Sequence, residues 1–331
     1  MSKRHQKPYD SVLELIGWTP VVRLSSVTDG ARTPLYAKCE FMNPGGSIKD
    51  RIGLAMLEAA ERDGSLKPGG TIVEATGGNT GLALAMAASI KGYRCICTMP
   101  DKMSTEKAKL LRAFGAEVII TPTAVPPDHP DHYLQQARSI AAETPGAVMA
   151  DQFYNKANPD AHHDTTGREI WEQSDGRVTH FVASAGTGGT ITGVSRYLKA
   201  KNPSVRIIGI DPEGSMIAPF FNTGQMVEGR PYKVEGVGND KIPGALDLDT
   251  VDEYRTGEDG AAFRMARRLT REEGLFVGGS SGLLVNAAIE VTKELDDPDA
   301  FVVTLLPDWG ERYLSKAYDD DWMRDNGFLQ R

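Results

Sequence analysis

TIVEATGGNTGLALAMAASIKGYRCICTMP, residues 71–100, carries the reading of the fold in one stretch. A β-branched run, TIVEAT, meets a glycine turn; small and apolar residues continue over 79–91, Gly92 stops them, and CICTMP follows. Strand, tight turn, helix and strand at this spacing make a βαβ unit, which closes right-handed on a parallel sheet. Outward from it the rhythm persists. STEKAKLLRAFG precedes EVIIT, and a helix pattern covers about 131–144. In the second half HFVASA leads into GGTITGVSRYLKAK, RIIGID follows, and LFVGG, LLVNAAIEVTKEL and AFVVTLLPD complete the series. Gly64, Gly92 and Gly115 stand where helices end in left-handed caps. The prolines of TAVPPDHPDH (123–132) exclude a regular element there, and Pro219 to about Gly244 is a second irregular region. The expected class is α/β, with two three-layer αβα domains on mostly parallel sheets, spanning residues 1–150 and 151–331.

Composition narrows the function. The 331 residues suffice for about two domains. Lysine and arginine number 37 against 45 acidic residues, and the net charge of −8 argues against a general nucleic-acid or membrane-surface binder. With 40% hydrophobic and 25% charged residues the chain reads as soluble and globular. Its longest apolar stretch, near Leu82–Ile90, is far short of a membrane span, and MSKRHQKPYD lacks the apolar core of a secretory signal. Cys39, Cys95 and Cys97 do not suggest a disulfide framework. A cytoplasmic enzyme with small-molecule substrates, and with no nucleic-acid or membrane partner, is expected.

Four motifs bear on chemistry, each with a plain structural alternative. In NPGGSIKDR (43–51), Lys49 precedes a helical face at Ile52, Ala55, Met56 and Ala59 and shares its inward side. Burial and the positive end of the helix dipole both favour a neutral amine, the form that builds Schiff bases. A snorkelling lysine at a helix start fits the same pattern. In EATGGNTG (74–81), orphan N–H groups joined by Thr76, Asn79 and Thr80 suit a carboxylate, while Asn79 or Thr80 as a simple cap suits equally. SAGTGGTITG (184–193) repeats the form: Gly186, Gly188 and Gly189 allow close backbone approach, Thr187 and Thr190 add hydroxyls, and a phosphate fits. Ile191 stands where a dinucleotide fingerprint needs its third glycine, although Asp211 ends the next strand at a tempting distance. In FVGGSSG (276–282), Ser280 or Ser281 is either a helix cap or a site residue. His129 and His132 lie among prolines without a partner cluster, so no metal is expected. His162 and His163 read as part of a helix start, and Cys95 and Cys97 as core.

In chain order, an inward lysine, a carboxylate-sized turn, a phosphate cradle and a late serine resemble one group. It is the cysteine synthase and cystathionine β-synthase group of fold-type II pyridoxal-phosphate enzymes, a tryptophan synthase β-like fold. The likeness runs from about Ser11 to Leu329. PDKMSTEKAKLLRAFGAE (100–117), NPDAHHDTTGREI (158–170), IIGIDPEGS (207–215), VEGVG (234–238) and DDWMRDNGFL (320–329) resemble the cystathionine β-synthase branch in particular.

The resemblance implies roles. Lys49 forms the Schiff base with pyridoxal 5'-phosphate, Asn79 bonds its ring hydroxyl, and Ser280 faces its pyridine nitrogen. Gly186, Thr187, Gly188, Gly189 and Thr190 hold its phosphate. Thr76, Gly77, Asn79 and Thr80, with Gln152, receive the substrate carboxylate. Glu235 and Gly236 line the entrance, and Glu235 joins Lys49 as a catalytic candidate. The implied reaction condenses L-serine with L-homocysteine to L-cystathionine, with sulfide release from cysteine as a related outcome. The alternative is a cysteine synthase using O-acetylserine (or serine) and sulfide; Glu235 favours the first, because cysteine synthases usually carry glutamine there. A homodimer and a mobile part over about 50–150 are implied too, in a catalytic core without the haem-binding extension or paired regulatory domains of longer relatives. Three residues depart from the pattern: Gly77 replaces a usual serine, and Phe153 and Asn239 stand where tyrosine is found.

Overall fold

A computed structural model of the chain describes residues 8–103, 105–126 and 128–330; the stretch MSKRHQK, read above for a leader, lies outside them. The chain forms two compact units. The smaller holds the described residues up to Trp18 and Asn43–Ala157, and the larger holds Thr19–Met42 and everything from Asn158. Thr19–Met42 therefore departs from a division at residue 150. The reason is strand pairing: β1 (Val21–Leu24) runs antiparallel to β2 (Leu35–Lys38), and β2 pairs with a late strand of the larger sheet. No helix among the described residues is long and apolar enough to cross a membrane.

The smaller unit is built on β3 (Thr71–Ala75), β4 (Arg94–Pro100), β5 (Glu117–Thr121) and β6 (Ala147–Met149), all parallel, in the order β5-β4-β3-β6. Its helices are α1 (Lys49–Arg62), α2 (Asn79–Lys91), α3 (Thr105–Ala113) and α4 (Tyr133–Glu143). Strand alternation sets the layers. Val73, Ala75 and Ile96 face α4 through Ala137. Glu74 and its register partner Cys97 point the other way, where a Cβ on Gly81 of α2 would sit 3.2 Å from Cys97 Sγ. Gly64, Gly92 and Gly115 all adopt positive φ as expected of left-handed ends.

In the larger unit, β7 (His180–Ser184), β8 (Arg206–Pro212), β9 (Glu253–Gly257) and β10 (Val302–Leu305) join the first two strands in the order β1-β2-β10-β7-β8-β9. Every pair but β1–β2 is parallel. The helices are α5 (Ala157–Ala161), α6 (Arg168–Gln173), α7 (Gly189–Lys201), α8 (Ile217–Thr223), α9 (Asp259–Glu272), α10 (Gly279–Leu295) and α11 (Asp320–Asp325). A π-helical turn, His162–Gly167, joins α5 to α6, so His162 and His163 lie inside a helical run rather than at its start. Lys38, wholly buried in β2, is matched by Glu169 at 2.8 Å and bonded to Thr19 O and Gln173 Oε1 at 3.0 and 2.8 Å. That pairing locks the displaced strand to the α6 layer.

Candidate active site

Lys49 is the first residue of α1 and is half-buried. The buried side of α1 falls on Ile52, Gly53, Met56, Leu57 and Ala60, so the expected Ala55 and Ala59 lie at its flank. The loop ahead of it is folded on Asp50, whose Oδ2 accepts from Gly45 N–H at 2.6 Å in a space that a Cβ on Gly45 would fill. One turn into α1, Gly53 meets Ala83 one turn into α2; a Cβ there would lie 2.5 Å from that of Ala83. The contact brings Lys49 and Asn79, the heads of both helices, within about one turn (5.4 Å of rise) of a shared point.

The turn before α2 does not use its side chains as caps. Gly78 is the N-cap and makes no side-chain bond. Thr76 Oγ1 accepts from Gly78 N–H at 3.2 Å, and Thr80 Oγ1 donates to Gln152 Oε1 at 2.6 Å. Thr76, Thr80 and Gln152 are therefore brought together, with Asn79 between the threonines at the helix start. Under them lies Glu74. Burial, and then the charge of Asp151, push its carboxyl up to about 8, although the N–H groups of Asp151 and Gln152 and the Gln152 side chain are directed at it. Asp151 holds a left-handed φ of 50°, which turns those two N–H groups inward. At Gly77, a Cβ would meet Met99 Cβ and Cε at 3.1 Å and Met103 Cγ at 3.2 Å. Two methionines occupy the room a serine side chain would need.

In the larger unit the strand β7, a glycine loop and α7 form the candidate phosphate cradle. Gly188, the N-cap, has φ 86°, and the first-turn N–H groups of this 13-residue helix face outward without a side-chain cap. The glycines do more than admit a ligand. A Cβ on Gly186 would lie 2.4 Å from Gly236 O, one on Gly188 2.4 Å from Leu246 Cβ, and one on Gly189 1.9 Å from Asn158 Oδ1. Protein, not open space, fills these positions. Thr187 lies in the loop and Thr190 in the first turn of α7, and the whole suits a phosphate monoester: backbone donors, a helix N-terminus and two threonines.

Gly236, with φ 81°, sits against that loop, so the entrance segment and the cradle are one piece. Gly238 N–H donates to Ala185 O at 2.8 Å, and Asn239 Nδ2 donates to Gly186 O at 3.2 Å. Asn239 is thus a bracket between entrance and cradle. Glu235 is ion-paired with Lys316. Ser280 and Ser281 lie in the first turn of α10, whose N-cap is Gly278, so neither serine caps it. The Ser280 side chain takes no hydrogen-bond partner among the described residues, and Ser281 Oγ is fully buried without one. A neutral hydroxyl at a helix N-terminus, with a donor and lone pairs to spare, can face a ring nitrogen.

The other sequence candidates find structural work. Asp211 Oδ2 accepts from Ala218 N–H at 2.9 Å at the start of α8, and burial pushes its carboxyl up to about 6. His129 and His132 bond neighbouring N–H groups, and no group of three metal-ligating side chains occurs among the described residues. Sequence reading gave no role to Met99, Met103, Asn158 or Lys316 and placed His162 only at a helix start.

A family model described as pyridoxal-phosphate dependent enzyme matches residues 12–308. A cystathionine β-synthase of Oryctolagus cuniculus is 49% identical over 321 residues, covering 96% of this chain and 58% of that protein. One from Apis mellifera is 44% identical over 328 residues, covering 98% and 64%. A crystal structure of O-ureido-L-serine synthase matches with a TM-score of 0.87 at 37% identity, over 96% of this chain and 100% of that one. The chain spans 58% and 64% of the two curated relatives' lengths.

Proposed function

We propose, for a chain that belongs to the pyridoxal-phosphate dependent enzyme family, a β-replacement reaction that condenses L-serine with L-homocysteine to L-cystathionine and water. The cofactor, when bound, supplies an electron sink for the carbon next to the substrate nitrogen. The protein supplies the rest. Lys49 would hold the cofactor, and its amine would take the α-proton and return a proton to the departing β-hydroxyl. Thr76, Asn79, Thr80 and Gln152 orient the substrate carboxylate. The cradle from Gly186 to Thr190 anchors the phosphate. The observation that carries the reading is Ser280: a buried neutral hydroxyl in the first turn of α10 with no hydrogen-bond partner among the described residues, which suits a ring nitrogen that is not held protonated. A neutral residue at that place would leave the ring nitrogen less protonated, which suits β-replacement over transamination.

One observation favours a second reading, in which sulfide is the acceptor and O-acetylserine the donor. Glu235, the residue that points to homocysteine, is already matched by Lys316. Homocysteine's ammonium must then share or displace that lysine, whereas sulfide needs neither. Steady-state rates for serine and O-acetylserine, each against homocysteine and sulfide, test the choice. The proposal expects cystathionine from serine and homocysteine, depressed far more by Glu235→Gln than cysteine formation from sulfide is. Equal losses, or no cystathionine from the wild type, would establish the second reading. We also propose a homodimer acting in the cytoplasm, to be checked by the mass in solution and by cell fractionation.

A further inference from the structure

Behind the phosphate cradle lies a second layer of polar side chains that the proposed roles do not use. Asn158, His162 and Thr166 are each wholly buried. Asn158 stands in α5 and His162 opens the π-helical turn, four residues on, so both project to one side of the run. That side is pressed onto α7: a Cβ on Gly193 would lie 2.1 Å from Pro159 O and 2.8 Å from His162 Cβ, and one on Gly189 would strike Asn158. Two glycines of α7 are thus explained by the approach of this run. The approach has a chemical result. Asn158 Nδ2 donates to Thr187 Oγ1 at 3.0 Å, and His162 Nε2 lies 3.1 Å from Thr190 Oγ1. The far ring nitrogen, Nδ1, lies 2.9 Å from Thr166 Oγ1.

A threonine hydroxyl has one proton to give. When an amide donates to its oxygen, that proton is left for another acceptor, and Thr187 stands in the glycine loop ahead of α7. For His162 the same logic selects a tautomer. If Nε2 carries the proton, it donates to Thr190, Thr166 donates to Nδ1, and the Thr190 proton stays available. If Nδ1 carries it, Thr190 must donate to Nε2 and presents only lone pairs, which repel an anion. We propose that Asn158 and His162 are positioning residues of the cradle, each donating an N–H to a cradle threonine so that both hydroxyl protons point at a bound phosphate monoester. The inference rests on the cofactor reading above but concerns residues that do not touch the cofactor.

The test separates this inference from the reading it rests on. In histidine-labelled wild-type holoenzyme, nitrogen NMR is expected to show His162 protonated at Nε2 and bare at Nδ1; the reverse tautomer overturns the proposal without any variant having to fold. Cofactor titration of the apoenzyme and the phosphorus resonance of the bound phosphate give the second arm. His162→Leu is expected to weaken cofactor binding by about tenfold, in line with the loss of one hydrogen bond to a charged group, and to move the phosphorus resonance. His162→Gln, which keeps an N–H near the place of Nε2, is expected to restore both. Asn158→Asp, the same shape with donor turned acceptor, is expected to lose more than Asn158→Leu. Leucine at 162 with wild-type affinity and an unmoved resonance, or glutamine no better than leucine, would overturn the proposal. A wild type that binds no cofactor and shows no phosphorus signal would instead overturn the cofactor reading.

Discussion

Placing a serine at Gly77 measures how far this turn has been adapted to its surroundings. The added Cβ would lie 3.1 Å from Met99 Cβ and Cε and 3.2 Å from Met103 Cγ. Carbon pairs settle at about 3.5–4.0 Å, so each contact is short by several tenths of an ångström. Met99 Cβ is carried by β4 and cannot retreat; Met99 Cε and the Met103 side chain can swing aside. Overpacking a core costs about 1–3 kcal/mol, and two yielding methionines place Gly77→Ser near the lower end, at about 1 kcal/mol. Against this stands one new hydroxyl at the carboxylate turn, which would strengthen first-substrate binding by roughly 1–2 kcal/mol if it reaches the ligand. The expected result is a folded enzyme of lower urea midpoint that binds L-serine about tenfold more tightly in a spectral titration. In a Met103→Ala background the stability cost should shrink by about 0.5 kcal/mol or more, the signature of two side chains in contact. A serine that costs the same in both backgrounds would show that Met103 does not crowd the turn, and unchanged L-serine affinity would detach Gly77 from the substrate.

Three further outcomes follow from the site. Borohydride reduction of the wild type should fix the cofactor on Lys49 by peptide mapping, and Lys49→Ala should abolish turnover with the fold intact; a label on another lysine refutes the assignment. Ser280→Asp should keep the cofactor but lose most β-replacement activity, because a carboxylate there holds the ring nitrogen protonated; full activity would make Ser280 a packing residue of α10. Glu74, raised from its ordinary range to about 8, binds its proton more tightly folded than unfolded, so its contribution to stability is complete below about pH 4.5 and is lost as pH rises through about 8. Glu74→Gln should therefore remove part of the alkaline loss of stability seen in urea midpoints between pH 5 and pH 9; an unchanged profile would mean Glu74 is ionised throughout.

Local periodicity was the readable part of this chain. Alternating β-branched and helical runs announce the parallel sheets, and Gly64, Gly92 and Gly115 follow helices because glycine takes a left-handed φ without strain. Pairing between distant strands leaves no such local trace, which is why β1 and β2 could not be assigned to the later sheet from their own residues. The motifs proposed a site, but the reasons for the glycines were hidden. Gly186, Gly188 and Gly189 invite a reading as ligand room, whereas the atoms opposite them are Gly236 O, Leu246 and Asn158. A π-helical turn over HHDTTG has no pattern that separates it from an α-helix, so the depth of His162 was not legible. Nor could Glu235 reveal Lys316, eighty-one positions away along the chain.

The displaced strand has a consequence for how the protein is made. Every residue of the smaller unit has emerged once the ribosome passes Ala157, and Asn43–Ala157, its larger part, is an unbroken segment, so it can collapse while synthesis continues. The larger sheet has no such advantage. Leu35 of β2 takes Val302 of β10 as its partner, so strands that emerge first wait for nearly the last one, with Lys38 lacking Glu169 for much of that time. Such a long wait leaves an unpaired apolar edge exposed to other chains. Holdase chaperones should therefore meet this protein through its earliest strands, and a nascent chain stalled short of β10 should aggregate although Lys49 is already in a folded unit.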